Sequence, residues 1–228
     1  MRRNYWVVVA SAVVIGVLTG CSDTLVAPSA APSAAPASTM LAPTGRPSLS
    51  LSGRNSQNGV STFTISPAGG VYLVGNHAVV FPARSVCDPA TSSYGEGTWD
   101  ESCTPLKRAL KVTAQVVTTN GAQAIDFTPS IRFVPSADPS RWVWLYMYTP
   151  GARGASDLSQ FNILFAPSLG ATPVNDALTD PTMRTYVDSR TGISFRRIKH
   201  FTGYIAPAGF TCDANSEGGC GSNQLDHP

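Results

Sequence analysis

No stretch of about ten residues in this chain keeps a helical apolar period. Instead, short runs rich in β-branched and aromatic residues recur between Gly, Pro, Asn and Asp. That pattern predicts strands at Thr62–Ile65, Val71–Val74, His77–Phe81, Leu110–Thr118, Gln123–Phe127, Ile131–Val134, Trp142–Tyr148, Phe161–Phe165, Thr185–Asp188, Ile193–Arg197 and Thr202–Ile205. The chain holds 20 glycines and 18 prolines, which break helices but suit the turns of a β fold. The clearest unit is a hairpin at Asn120-Gly121, a dipeptide fitted to the left-handed conformations of a type I′ turn. Closing a two-residue loop there pairs Val116 with Ile125 and Ala114 with Phe127. One face then carries Leu110, Val112, Ala114, Val116, Ile125 and Phe127, and the other Lys111, Thr113, Gln115 and Asp126. Many short strands with one wet face predict an all-β chain, a single antiparallel β-sandwich of the immunoglobulin-like kind.

The sandwich is expected to span residues 59–210, behind two segments of different character. Arg2 and Arg3 precede an apolar run from Tyr5 to Leu18 that is shorter than the roughly 20 residues of a membrane span. A basic start, a short apolar middle and a small-residue exit read as a signal peptide over residues 1–20. Leu18-Thr19-Gly20-Cys21 resembles the lipobox of bacterial lipoproteins, which implies a diacylglycerol on the Cys21 sulfur and cleavage before it. Several acyl chains on one residue supply the multiple signals that stable membrane attachment requires. Ser22 rather than an aspartate follows, so the outer membrane of the cell envelope is the expected destination. Residues 21–58 continue as an Ala/Pro/Ser linker that cannot bury enough apolar surface to fold, and so read as a disordered tether.

Without Arg2 and Arg3 the basic and acidic side chains balance, and only 13% of the chain is charged. A neutral chain has no overall field to attract nucleic acid. Beyond Cys21, the four cysteines Cys87, Cys103, Cys212 and Cys220 form an even set in an exported chain and read as disulfides. Of three possible pairings, the sequence-local Cys87–Cys103 and Cys212–Cys220 is favoured, the second within a polar tail at 211–228. No ligand spacing for a metal appears, and no cofactor is expected.

Three short motifs come in a suggestive order: Ser66-Pro67-Ala68-Gly69-Gly70, then Val79-Val80-Phe81-Pro82-Ala83, then His200-Phe201-Thr202-Gly203-Tyr204. Together, over about residues 61–206, they resemble the ZU-five domain, a β-sandwich module of ankyrins, netrin receptors and bacterial surface proteins. The resemblance implies an interaction or structural unit rather than an enzyme. It departs from the family where a loop between Cys87 and Cys103 follows the Phe-Pro-Ala segment. Some relatives cleave themselves at His-Phe-Ser, which carries over to His200 as base and Thr202 as nucleophile, with threonine in place of serine.

Candidate contact residues are few. In strand geometry Val143, Leu145 and Met147 face one way, and Trp142, Trp144, Tyr146 and Tyr148 the other. If the aliphatic side enters the core, the aromatic row is a platform for sugar rings; the favoured alternative buries both faces. The run Arg196-Arg197-Ile198-Lys199-His200 could hold anionic groups, although a solvated strand edge is the expected reading. Tyr94 and Trp99, in the loop closed by Cys87 and Cys103, form an aromatic tip suited to contact. No nucleophile elbow, phosphate loop or His-Glu-x-x-His pattern appears. The expectation is therefore a lipid-anchored, non-catalytic binding or structural module, with the membrane and an envelope protein or glycan as partners. Self-cleavage between Phe201 and Thr202 is the alternative.

Overall fold

The computed structural model describes residues 59–119 and 122–206, all within the unit Ala37–Pro228. The strands are β1 (Gly59–Ile65), β2 (Gly70–Val74), β3 (His77–Phe81), β4 (Leu110–Thr119) and β5 (Ala122–Thr128), followed by β6 (Val143–Tyr148), β7 (Leu164–Ala166), β8 (Thr185–Asp188), β9 (Ile193–Ile198) and β10 (Gly203–Ala206). Helix among the described residues is limited to single 3-10 turns in the connections. Two five-stranded antiparallel sheets form, in the orders β1-β4-β5-β10-β7 and β2-β3-β6-β9-β8. The chain is an all-β sandwich, as its alternation predicts.

The β4–β5 hairpin has the expected register, with Val116 opposite Ile125 and Ala114 opposite Phe127. Thr119 faces Ala122, which brackets a two-residue loop; Asn120 and Gly121 themselves lie outside the described residues. Val112, Ala114, Val116, Ile125 and Phe127 are buried, while Lys111 and Gln115 are exposed. These side chains meet Val79, Phe81, Val143, Leu145 and Met147 of the second sheet in one core.

The three motifs pack on one another. Gly69, at φ +80°, closes a turn in which its N–H donates to the Ser66 carbonyl, and a Cβ there would sit 2.2 Å from the Phe81 carbonyl oxygen. Phe81 in turn meets Phe201 edge-on at 5.6 Å. The fully buried Phe201 ring lies flat on Phe127 with centroids 4.0 Å apart. Phe201 belongs to the connection from β9 to β10, so its ring sits where the chain passes from one sheet to the other.

Two expected strands differ. Ile131–Val134 makes isolated bridges, Val86 with Phe133 and Arg132 with His200, rather than a ladder. Its backbone is divided between partners, since Cys87 donates to the Arg132 carbonyl and Phe201 to the Ile131 carbonyl. The stretch thus ties both sheets and belongs to neither. The expected strand Phe161–Phe165 is shortened because residues 159–161 form a 3-10 turn that leaves β7 only three residues.

Candidate functional site

The disulfide-closed loop has a cation at its centre. Cys87 and Cys103 are bonded, their Cα atoms 5.7 Å apart, as the local pairing predicts. Polar loop backbone cannot stack into a core by itself, so its carbonyls need donors. Arg132 supplies them. Its Nε donates to the Ser93 carbonyl at 2.8 Å, Nη1 to those of Thr98 at 2.9 Å and Glu101, and Nη2 to that of Ser102 at 3.3 Å. The rigid fork of a guanidinium suits several carbonyls around one point. Lys199 holds the loop from outside by donating to both Asp100 oxygens and to Asp180 of the 3-10 turn at 181–183. Burial opposes ionisation of Asp180, yet hydrogen bonds from Lys199 and Thr182 keep its carboxyl below its ordinary value.

Between this loop and the β7–β8 connection lies a cavity of about 580 Å³, within the usual range for a ligand site. Tyr94 and Trp99 of the loop form one wall, Phe165 and Val174 another, and His200 and Thr202 contribute from the β9–β10 connection. Trp99 stacks on the His200 ring at 4.0 Å, and Phe165 meets that ring edge-on at 4.8 Å. His200 is 3% exposed, and its Nδ1 has no hydrogen-bond partner. Burial, helped by the charges of Arg196 and Lys199, pulls the imidazole down to about 3, so it is neutral near pH 7. The Tyr94 hydroxyl donates to the Phe201 carbonyl at 2.6 Å, and burial raises its ionisation above the usual phenol range.

The opposite wall hangs on a buried ion pair. Arg196 is 0% exposed and donates from Nη2 to Asp176 at 2.6 Å, from Nη1 to the Ile163 carbonyl at 2.7 Å and from Nε to the Arg197 carbonyl at 3.1 Å. Asp176 opens a 3-10 turn and lines the cavity with the residues that flank that turn, Asn175 and Thr179. A buried pair with its spare donors satisfied holds a chosen geometry more than it adds stability.

The expected contact residues divide. Tyr94 and Trp99 come together in the cavity with His200 and Thr202. The aromatic strand has the expected two faces, with Val143, Leu145 and Met147 in the inter-sheet core and Trp142, Trp144, Tyr146 and Tyr148 on the other side. That other side is not an open platform for sugars. Trp144 is 0% and Tyr146 1% exposed, and Tyr146, Phe195 and Tyr186 stack in series. The Arg197 guanidinium covers Trp142 at 4.3 Å. The solvated edge expected for Arg196 to His200 is corrected as well. Strand β9 lies between β6 and β8, and all five residues are buried, the basic ones engaged with Asp176, Asp100, Asp180, Thr182 and backbone carbonyls. Cys21, Cys212 and Cys220 lie outside the described residues, as do the linker and the tail. Among the described residues no group of His, Cys, Asp and Glu is arranged to hold a metal ion.

Sequence reasoning missed Arg132, Asp176 and Phe165. Arg132 left a trace, a charge between Ile131 and Phe133 in an alternating run; Asp176 left none. No family model matches the chain, and neither does any curated protein or solved structure.

Proposed function

We propose that the chain is a lipid-anchored protein of the bacterial envelope whose β-sandwich is a non-catalytic binding module, with the cavity under the disulfide loop as its site. Support for the anchor comes from the basic start, the short apolar run and Leu18-Thr19-Gly20-Cys21, followed by Ser22 in keeping with the outer membrane. The binding reading rests on one observation above all: an aromatic-walled cavity of about 580 Å³, lined by Tyr94, Trp99 and Phe165 together with the carboxylates of Glu96 and Asp176. The resemblance to ZU-five modules points the same way. An envelope molecule small enough to enter the cavity is the partner in this reading; the aromatic strand serves packing.

The anchor is tested in cells. Cys21→Ala or globomycin should leave an unprocessed precursor, and an unchanged, processed, membrane-bound product would contradict it. The site is tested with a thermal-shift screen of small metabolites on the full chain and on Val174→Trp, which fills the mouth of the cavity from a residue 46% exposed. Ligands should raise the melting temperature of the parent and not of the variant; equal shifts in both, or none in either, would contradict the site.

One observation favours self-processing as a second reading. The Tyr94 hydroxyl already donates to the Phe201 carbonyl that Thr202 Oγ1 would attack, as an oxyanion donor would. Attack would pass the Phe201 acyl group from the Thr202 nitrogen to its oxygen, with water then releasing the two fragments. A single intact mass for the purified chain would end this reading.

A further inference from the structure

The lining of the cavity selects among ligand classes. Tyr94, Trp99 and Phe165 supply ring surface, Glu96 and Asp176 supply carboxylates, and no lysine or arginine is among the lining residues. Asp176 shares Oδ1 with Arg196, whereas Glu96 is exposed and has no ion pair among the described residues. Two hydroxyl protons are committed elsewhere, Tyr94 donating to the Phe201 carbonyl and Thr179 to the Asp176 carbonyl. The Thr202 hydroxyl, the Asn175 amide and the Trp99 indole N–H are the neutral donors of the lining. The lining therefore combines ring faces with negative charge and carries no cationic side chain. An anion would meet the Glu96 carboxylate. An organic cation uses what is present, since its charge is drawn to ring faces and to a carboxylate.

We propose that the cavity binds a small organic ammonium ion, its charged end enclosed by Tyr94, Trp99 and Phe165 with Glu96 as counter-ion. This rests on the cavity being the binding site, and deepens that reading by naming the ligand class.

The test titrates the full chain with choline, tetramethylammonium and phenyltrimethylammonium, and with 3,3-dimethylbutan-1-ol, the neutral isostere of choline. Tryptophan fluorescence and calorimetry serve as readouts. At least one cation should bind saturably, choline at least about tenfold more tightly than its isostere where it is that cation. Glu96→Gln should weaken the cation roughly fivefold without moving the melting temperature, because Glu96 is exposed. Equal affinity for choline and its isostere, or an unchanged affinity in Glu96→Gln, would overturn the ligand class while leaving the site in place. Saturable binding of glucose or galactose with no response to any ammonium would do the same. No saturable response to any of these probes, together with no hit in the metabolite screen, would overturn both the class and the binding reading.

Discussion

The indole of Trp99 lies on the imidazole of His200, ring centroids 4.0 Å apart and planes inclined by 26°. One ring comes from the disulfide loop and the other from the connection between β9 and β10, so the stack seats the loop on the sandwich and shapes the cavity between them. His200 takes part as a neutral aromatic ring, because burial keeps a proton off it.

Acid should therefore loosen the protein. His200 is depressed to about 3 and His77 to about 4, the latter by burial, with its Nδ1 already accepting from the Tyr148 N–H at 3.1 Å. Above pH 6.5 both are neutral folded or unfolded, and stability is complete. As pH falls from 6.5 towards 4 and then 3, the unfolded chain binds protons that the fold excludes. Each histidine should remove about 1.4 kcal/mol per pH unit across that window. Urea unfolding between pH 7 and 4 measures the slope, and His77→Gln or His200→Gln should each reduce it by one proton; an unaltered slope would contradict the assignment.

Arg132 should matter to the loop as much as the disulfide does. Replacing it with methionine strands four loop carbonyls and should cost roughly 2–4 kcal/mol. Cys87→Ser with Cys103→Ser should cost on the order of 3 kcal/mol from a loop of 16 residues' separation. Limited proteolysis should show both variants cut first between 88 and 102.

The Arg196–Asp176 pair should behave as a buried pair. Arg196→Met leaves Asp176 without its partner and should destabilise by about 3–5 kcal/mol. Adding Asp176→Leu should recover part of that loss, since the bare carboxylate is then gone. A double-mutant cycle on chemical unfolding measures the coupling, and additive losses would contradict it.

How much of this was legible in the sequence varies by element. The β4–β5 register could be read to the residue because strict alternation and Asn120-Gly121 act together, and a one-residue slip would invert every side chain. The same alternation sorted the faces of β6 correctly, but it could not say whether the aromatic side was open, since cover comes from segments distant in sequence. Arg197 over Trp142 is one such cover. The run from Arg196 to His200 misled for a related reason. Charge reads as solvent exposure until its partners are known, and Asp176, Asp180 and Asp100 stand about 20, 20 and 100 residues from the basic side chains they meet. Of the cavity, Tyr94 and Trp99 could be singled out by their braced loop; Phe165 and Asp176 reach it only through the folding of the β7–β8 connection.

Burial should also be visible in the light that the tryptophans emit. Trp142 and Trp144 are 8% and 0% exposed, while Trp99 lines the cavity. Iodide should quench a component that Trp99→Phe removes, and a quenchable fraction unchanged in that variant would contradict the placement of these rings.

The most direct measurement follows the indole N–H signals of the full chain by nitrogen-15 NMR while a ligand from the metabolite screen is added. The Trp99 signal should move saturably, with those of Trp142 and Trp144 nearly still. Movement of Trp142 or Trp144 with Trp99 unchanged would put binding on the aromatic strand and contradict the cavity as the site.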